Sequence, residues 1–206
     1  MPWKVHHPIK HVGHHPKGDG QCTALPMALN PSVPKVVAHW KQGAQVKGNV
    51  GLDPGTVIAI FNKNLDYQGS RYAATKDPVT KKSYGVAHAA LYVAQTSEGI
   101  EVVHQNQTPG QITRSFIFFG GGGPKGQADS QGYFDVGKSQ SGATLRWRDG
   151  RGDPSYHWGV SGSNKLDLKE DDADNYCIVE LKPDRSGTSN PEDFSVHVSG
   201  PTAPNL

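Results

Sequence analysis

Cys22 follows a Gly-Asp-Gly turn and precedes a short apolar run in GDGQCTALPMAL, residues 18–29. A thiol becomes a nucleophile at neutral pH when a base takes its proton, and the base needs a third group to fix its ring orientation and tautomer. Both partners stand downstream in HAALYVAQTSEGIEVVHQN, residues 88–106, which His88 opens and His104 and Asn106 close. Thiol, imidazole and polar partner are the three roles that covalent catalysis at a carbonyl needs. Each has a bland reading too: free cysteine is among the most buried residue types, and a lone histidine is more often structural than catalytic.

The elements that must position these groups are legible around them. Residues 88–106 read as two β-rich runs joined by a turn near Ser97-Glu98-Gly99, a hairpin. Alternation puts Ile100, Val102, His104 and Asn106 on one side of its second strand, and Val103 and Gln105 on the other. A turn centred on Ser97 sets His88 opposite Asn106, and one centred on Thr96 sets it opposite His104, so the orienting role stays open between the two. Pro26, four residues after Cys22, conflicts with a helix that starts at the cysteine. The conflict disappears if Thr23 is the N-cap, because Pro26 is then the third helical residue, whose N–H is unpaired in any helix. Cys22 would stand just ahead of the helix, near its positive end. Its backbone N–H, with the neighbouring Gln21, could stabilise an oxyanion.

Elsewhere the punctuation predicts a second short helix over PKVVAHWKQG closed by Gly43, a turn at Asp53-Pro54-Gly55-Thr56, and a buried strand in VIAIF, residues 57–61. Residues 62–87 read as loop, QITRSFIFF as a strand, and YCIVEL, residues 176–181, as the last strand of the sheet. Four domain parts follow: a polar arm over 1–17 rich in histidine, a core domain over 18–181, a Gly-rich insertion at about 120–175 within it, and a tail or edge strand over 182–206. The arm carries His6, His7, His11, His14 and His15, reads as solvated rather than metal-binding, and is expected to be dispensable for catalysis when residues 1–15 are deleted. An Arg151-Gly152-Asp153 triplet in a Gly/Asp-rich loop is a chance match.

With 206 residues, 25 glycines and 15 prolines, the chain fits one α+β domain dominated by short strands. A formal charge of +2 with scattered Lys and Arg argues against nucleic acid. No stretch has the roughly 18 apolar residues of a membrane span, and the start lacks the apolar centre of a secretory signal, so synthesis in the cytoplasm is expected. Cys22 and Cys177 could form one disulfide, which would consume the nucleophile; a reducing cytosol would keep both as thiols.

Gly20-Gln21-Cys22-Thr23 resembles the nucleophile motif of CHAP amidases, and His88-Ala-Ala-Leu-Tyr-Val resembles the histidine strand of the CHAP and NlpC-type cysteine hydrolases. His104-Gln105-Asn106 falls where CHAP domains carry a Glu-x-Asn pair and where NlpC-type enzymes carry a second histidine. Trp40 with Gly43, and the run from Leu52 to Ala59, are similar in spacing to these families. The resemblance covers residues 18 to about 119. It implies a papain-like fold, with short N-terminal helices on an antiparallel sheet, and cleavage of amide bonds, most often in the peptide stem of peptidoglycan. It implies Cys22 as nucleophile, His88 as base, His104 or Asn106 as orienting group, and neither metal nor organic cofactor. A wall-cutting enzyme without a signal must be delivered, as a type VI secretion effector or a lysin, and a delivered toxin implies a cognate immunity protein. The alternative is a papain-like module that binds wall or protein and has lost its chemistry.

Overall fold

The computed structural model describes residues 2–61, 74–76, 83–85, 88–105, 110–120, 123–124, 126–148 and 173–181. In chain order its strands are β1 (Trp40–Gln45), β2 (Val57–Ile60), β3 (Ala74–Lys76), β4 (Ser83–Gly85), β5 (Ala89–Gln95), β6 (Gly99–Gln105), β7 (Ile112–Phe118), β8 (Tyr133–Lys138), β9 (Thr144–Arg148) and β10 (Tyr176–Leu181), with one α-helix, α1 (Ala24–Leu29). Six strands form one sheet in the order β1-β10-β2-β5-β6-β7, and every pairing in it is antiparallel. The β3–β4 ladder lies within 62–87, the stretch whose polar sequence reads as loop. The C-terminal tail, 182–206, and the Arg-Gly-Asp triplet lie outside the described residues. Among the described residues, no helix is long and apolar enough to cross a membrane.

The strand pattern follows from burial. All four residues of β2 are buried, as a continuous Val/Ile run between two partners should be. Ala89, Leu91, Val103 and Ile112 pack with Leu25 of α1, Val57, Ala59 and Val179 on one face. Ala90, Tyr92, Ile100 and Val102 pack with Ile58, Ile60, Tyr176 and Ile178 on the other. Alternation thus gives the central sheet a core on each side, one of them covered by α1.

The expected hairpin is β5–β6. Leu91 pairs with Val103 and Tyr92 with Val102, then a bulge at Val93 shifts the register to Ala94–Glu101 and Gln95–Ile100. Continued to the open end, the first register sets His88 diagonal to His104. Asn106 itself lies outside the described residues.

Three expectations change. PKVVAHWKQG does not form a second helix: residues 37–39 make one 3-10 turn and the chain continues as β1. Trp40 is fully buried and pairs with Leu181, and a Cβ on Gly43 would lie 2.7 Å from Glu180 Cδ, so the glycine admits a neighbouring strand rather than ending a helix. The first 17 residues are not a solvated arm. Val5 N donates to Gly55 O at 2.9 Å, Val57 N to Trp3 O at 2.9 Å, Gly13 N to Ile112 O at 2.8 Å and Ile112 N to His14 O at 2.9 Å, and Val5 is buried. The segment crosses from β2 to β7 along the face that carries α1, in the cluster that holds Val5. Finally, the Gly-rich segment after β7 holds a second ladder, β8–β9, whose Val136 and Trp147 pack on Phe116 and Phe118 of β7.

Candidate active site

The loop ahead of Cys22 is shaped by its glycines. Gly18 and Gly20 have φ of +58° and +80°, the left-handed region, and a Cβ on Gly18 would touch the Ala24 Cβ at 3.0 Å. Asp19 Oδ1 between them accepts from Gln21 N at 3.0 Å. Thr23 is the N-cap of α1, as the position of Pro26 requires, and Pro26 is its third residue. Because α1 has six residues, under two turns, its dipole adds little to thiol acidity. Gln21 is exposed. Cys22 is buried in the cluster that contains Leu25, Ala89 and Leu91, and it and Cys177 are both free thiols, so no disulfide consumes it.

That loop is held by a residue that no sequence motif singles out. Gln105, the last residue of β6, is fully buried, and its amide is saturated by the loop. Its Oε1 accepts from Lys17 N at 2.8 Å, and its Nε2 donates to Lys17 O and to Gln21 O, each at 2.8 Å. Both amide hydrogens and one lone pair are placed, which fixes the loop against the strand end.

The preceding residue does the same on the other face. His104 lies with its Nδ1 2.8 Å from His88 Nε2, the rings edge to face at 84° with centroids 4.8 Å apart. On its far side His104 Nε2 is 2.7 Å from Ser115 Oγ on β7. His88 is 3% exposed, and burial pulls its pKa from 6.5 to about 4, so the ring is neutral at neutral pH. Since Nε2 is engaged by His104, Nδ1 is the nitrogen left to take a proton from a substrate or thiol. A neutral imidazole whose Nε2 is held by a partner can take a proton on Nδ1.

The structure therefore brings together His88 and His104, a diagonal pair of the hairpin. It seats Cys22 in the cluster that α1 covers, while alternation puts His104 with Val102 on the opposite face; His88 stands one residue ahead of β5. Ser115 and Gln105 are legible in the sequence as strand positions but not as partners. Their bonds reach across to β7 and back 84 and 88 residues, and hydrophobic periodicity carries no signal for such contacts.

A family model described as domesticated amidase effector 2 matches residues 3–136. Among solved structures, the chain is similar to a type 6 secretion amidase effector 2, with a TM-score of 0.54 and 21% identity over 90% of this chain and 99% of that one. No curated protein matches the sequence. The structural likeness agrees with the α+β, papain-like architecture expected from the motifs, with one α-helix and 3-10 turns in place of several helices.

Proposed function

The chain belongs to the domesticated amidase effector 2 family, and from that premise we propose that it is a cysteine amidase that cleaves amide bonds in the peptide stem of bacterial peptidoglycan. Cys22 Sγ gives its proton to His88 Nδ1 and attacks the amide carbonyl. The C–N bond breaks as the imidazolium returns the proton to the leaving amine, and water then hydrolyses the thioester with His88 again as base. His104 orients His88. The Cys22 backbone N–H, with the exposed Gln21 side chain beside it, faces the developing oxyanion.

The observation that carries this reading is the 2.8 Å His88–His104 bond at the same end of the sheet where Gln105 pins the residue before Cys22. The similar solved structure is named as a type 6 secretion effector, which supports delivery into the wall compartment of a target cell, and with it a cognate immunity protein. The test is expression in a Gram-negative host with and without a periplasmic export signal. Exported protein should round or lyse the cells, cytosolic protein should be tolerated, and exported Cys22→Ala should be harmless. A parallel Cys177→Ser variant removes the partner with which an oxidising periplasm could trap Cys22.

One observation favours the second reading, a module that binds wall or protein without cutting it. Cys22 packs in the cluster that α1 covers, whereas alternation puts the His104 ring on the other face of the sheet. Iodoacetamide separates the two: a thiol activated by His88 is labelled much faster in the native protein than in His88→Ala, while a packed, inert thiol is labelled at one slow rate in both.

A further inference from the structure

Outside the thiol, base and orienting ring, one polar group is built into the same network with no use assigned to it. Ser115 sits in the middle of β7, 2% exposed, on the face that carries His104. It stands in a strand whose neighbours on that face are Thr113 and Ile117, where an apolar residue would pack equally well. Its Oγ is 2.7 Å from His104 Nε2, and His104 Nδ1 is 2.8 Å from His88 Nε2.

Three groups in a row are joined by two hydrogen bonds, and the direction in which those bonds run decides whether His88 can be a base. If Ser115 donates to His104 Nε2, then the His104 proton is on Nδ1 and points at His88 Nε2. The His88 proton is then on Nδ1, and the nitrogen that should accept from the thiol is already occupied. If Ser115 Oγ accepts from His104 Nε2–H, then His104 Nδ1 accepts from His88 Nε2–H, and His88 Nδ1 is a bare lone pair. The second polarity alone permits the reaction.

We infer that Ser115 is a positioning residue for the reaction: its Oγ accepts the His104 Nε2–H bond and thereby holds both imidazoles in the tautomer that leaves His88 Nδ1 open. This rests on the amidase reading above. During attack the thiol proton moves to His88 Nδ1, while the Nε2–H of His88 and the Nε2–H of His104 stay where they are. The imidazolium then donates to an acceptor already in place, and no proton has to travel along the chain. Ser115 never touches substrate.

The test uses the full chain and a purified muropeptide as substrate, with Cys22→Ala as the reference. Ser115→Ala should lower kcat about tenfold to a hundredfold with KM nearly unchanged, the range for a bond to a group that becomes charged. Ser115→Thr keeps the hydroxyl and should restore most of the rate. Ser115→Cys fills the same space with a weak acceptor and should resemble Ser115→Ala, which separates the hydrogen bond from packing. Imidazole 15N shifts give a readout that packing alone does not move: in the native protein the Nδ1 of both rings should appear as acceptors, and in Ser115→Ala His104 should become a tautomer mixture. Native kcat and native 15N shifts in Ser115→Ala overturn this inference. Should Ser115→Ala misfold, the Thr and Cys variants decide: equal rates and equal shifts in those two overturn it as well. Retained cleavage in Cys22→Ala overturns the amidase reading itself, so the two failures are told apart.

Discussion

The last two residues of β6 work on opposite faces of one sheet. His104 joins a row of titratable and hydroxyl groups whose protons have to be arranged, whereas Gln105 joins a loop backbone whose atoms have only to be held. On the His104 side the bonds connect side chains across neighbouring strands, 11 and 16 residues apart in sequence. On the Gln105 side they cross 84 to 88 residues and terminate on main-chain groups. A strand end that serves both purposes ties the base and the nucleophile loop to one rigid element, so an error of register in β6 disturbs both at once.

The sharpest break in this comparison is at the chemistry. Cys22→Ala should reduce muropeptide cleavage by at least about 10^4-fold, and His88→Ala by nearly as much, because nucleophile and base act as a unit. If His88→Ala keeps more than a tenth of the native rate, the row of imidazoles is structural. Deleting residues 2–15 should come next. It removes the backbone bonds to β2 and β7 and takes Val5 out of the core cluster on that face, and both activity and cooperative thermal unfolding should be lost. A truncated protein with the native Tm and turnover would restore the sequence expectation of a dispensable arm.

Gln105→Leu should lower the unfolding free energy by about 2–4 kcal/mol, since it strands three main-chain groups of the loop, and should change the rate at which iodoacetamide labels Cys22 while leaving the pH behaviour of His88 alone. His88 supplies the converse. Its pKa is near 6.5 in an unfolded chain and about 4 when folded, so between these values the unfolded state binds more protons. Stability should therefore fall as pH drops from 6.5 through 4, by about 3 kcal/mol in all. Urea titrations across that range should show the slope in the native protein and lose it in His88→Phe. The smallest effect is expected for His104→Ala, a kcat loss of about tenfold to a hundredfold, because a ring that orients can be partly replaced by water.

Elements are readable in the sequence where a local pattern defines them. The β5–β6 hairpin, the Thr23 cap and the buried β2 follow from alternation, from a proline that tolerates only the first turn of a helix, and from an apolar run. Where the partner is remote the pattern misleads. Gly43 marks a helix end in any local pattern, yet it lies within β1 against the Glu180 side chain of β10. Trp3 and Val5 look isolated in a polar stretch because the strand that they lie beside begins more than fifty residues later. Phe134, Val136, Leu145 and Trp147 alternate in two short runs inside a Gly-rich segment, and Phe116 and Phe118 of β7 are what make them a core. Only motif similarity separates His104 from Asn106 in the sequence; the register favours neither outright, and the bond is diagonal.

The position of β10 has a consequence for how the protein is made. It lies between β1 and β2, hydrogen-bonded to both, although it is encoded more than a hundred residues after them. Until Tyr176–Leu181 emerges from the ribosome, β1 and β2 face a gap of two strand spacings, about 10 Å, which nothing earlier in the chain can close. At roughly 5–20 residues per second, the wait between the end of β2 and the end of β10 is about 6–24 s. Throughout that interval the inner edge of β2 is an open template for mispairing, and the sheet on which the candidate catalytic groups are mounted is incomplete. A nascent chain of this family member is thus inert until β10 has been made, and that strand, inserted between β1 and β2, is the part that switches the fold on.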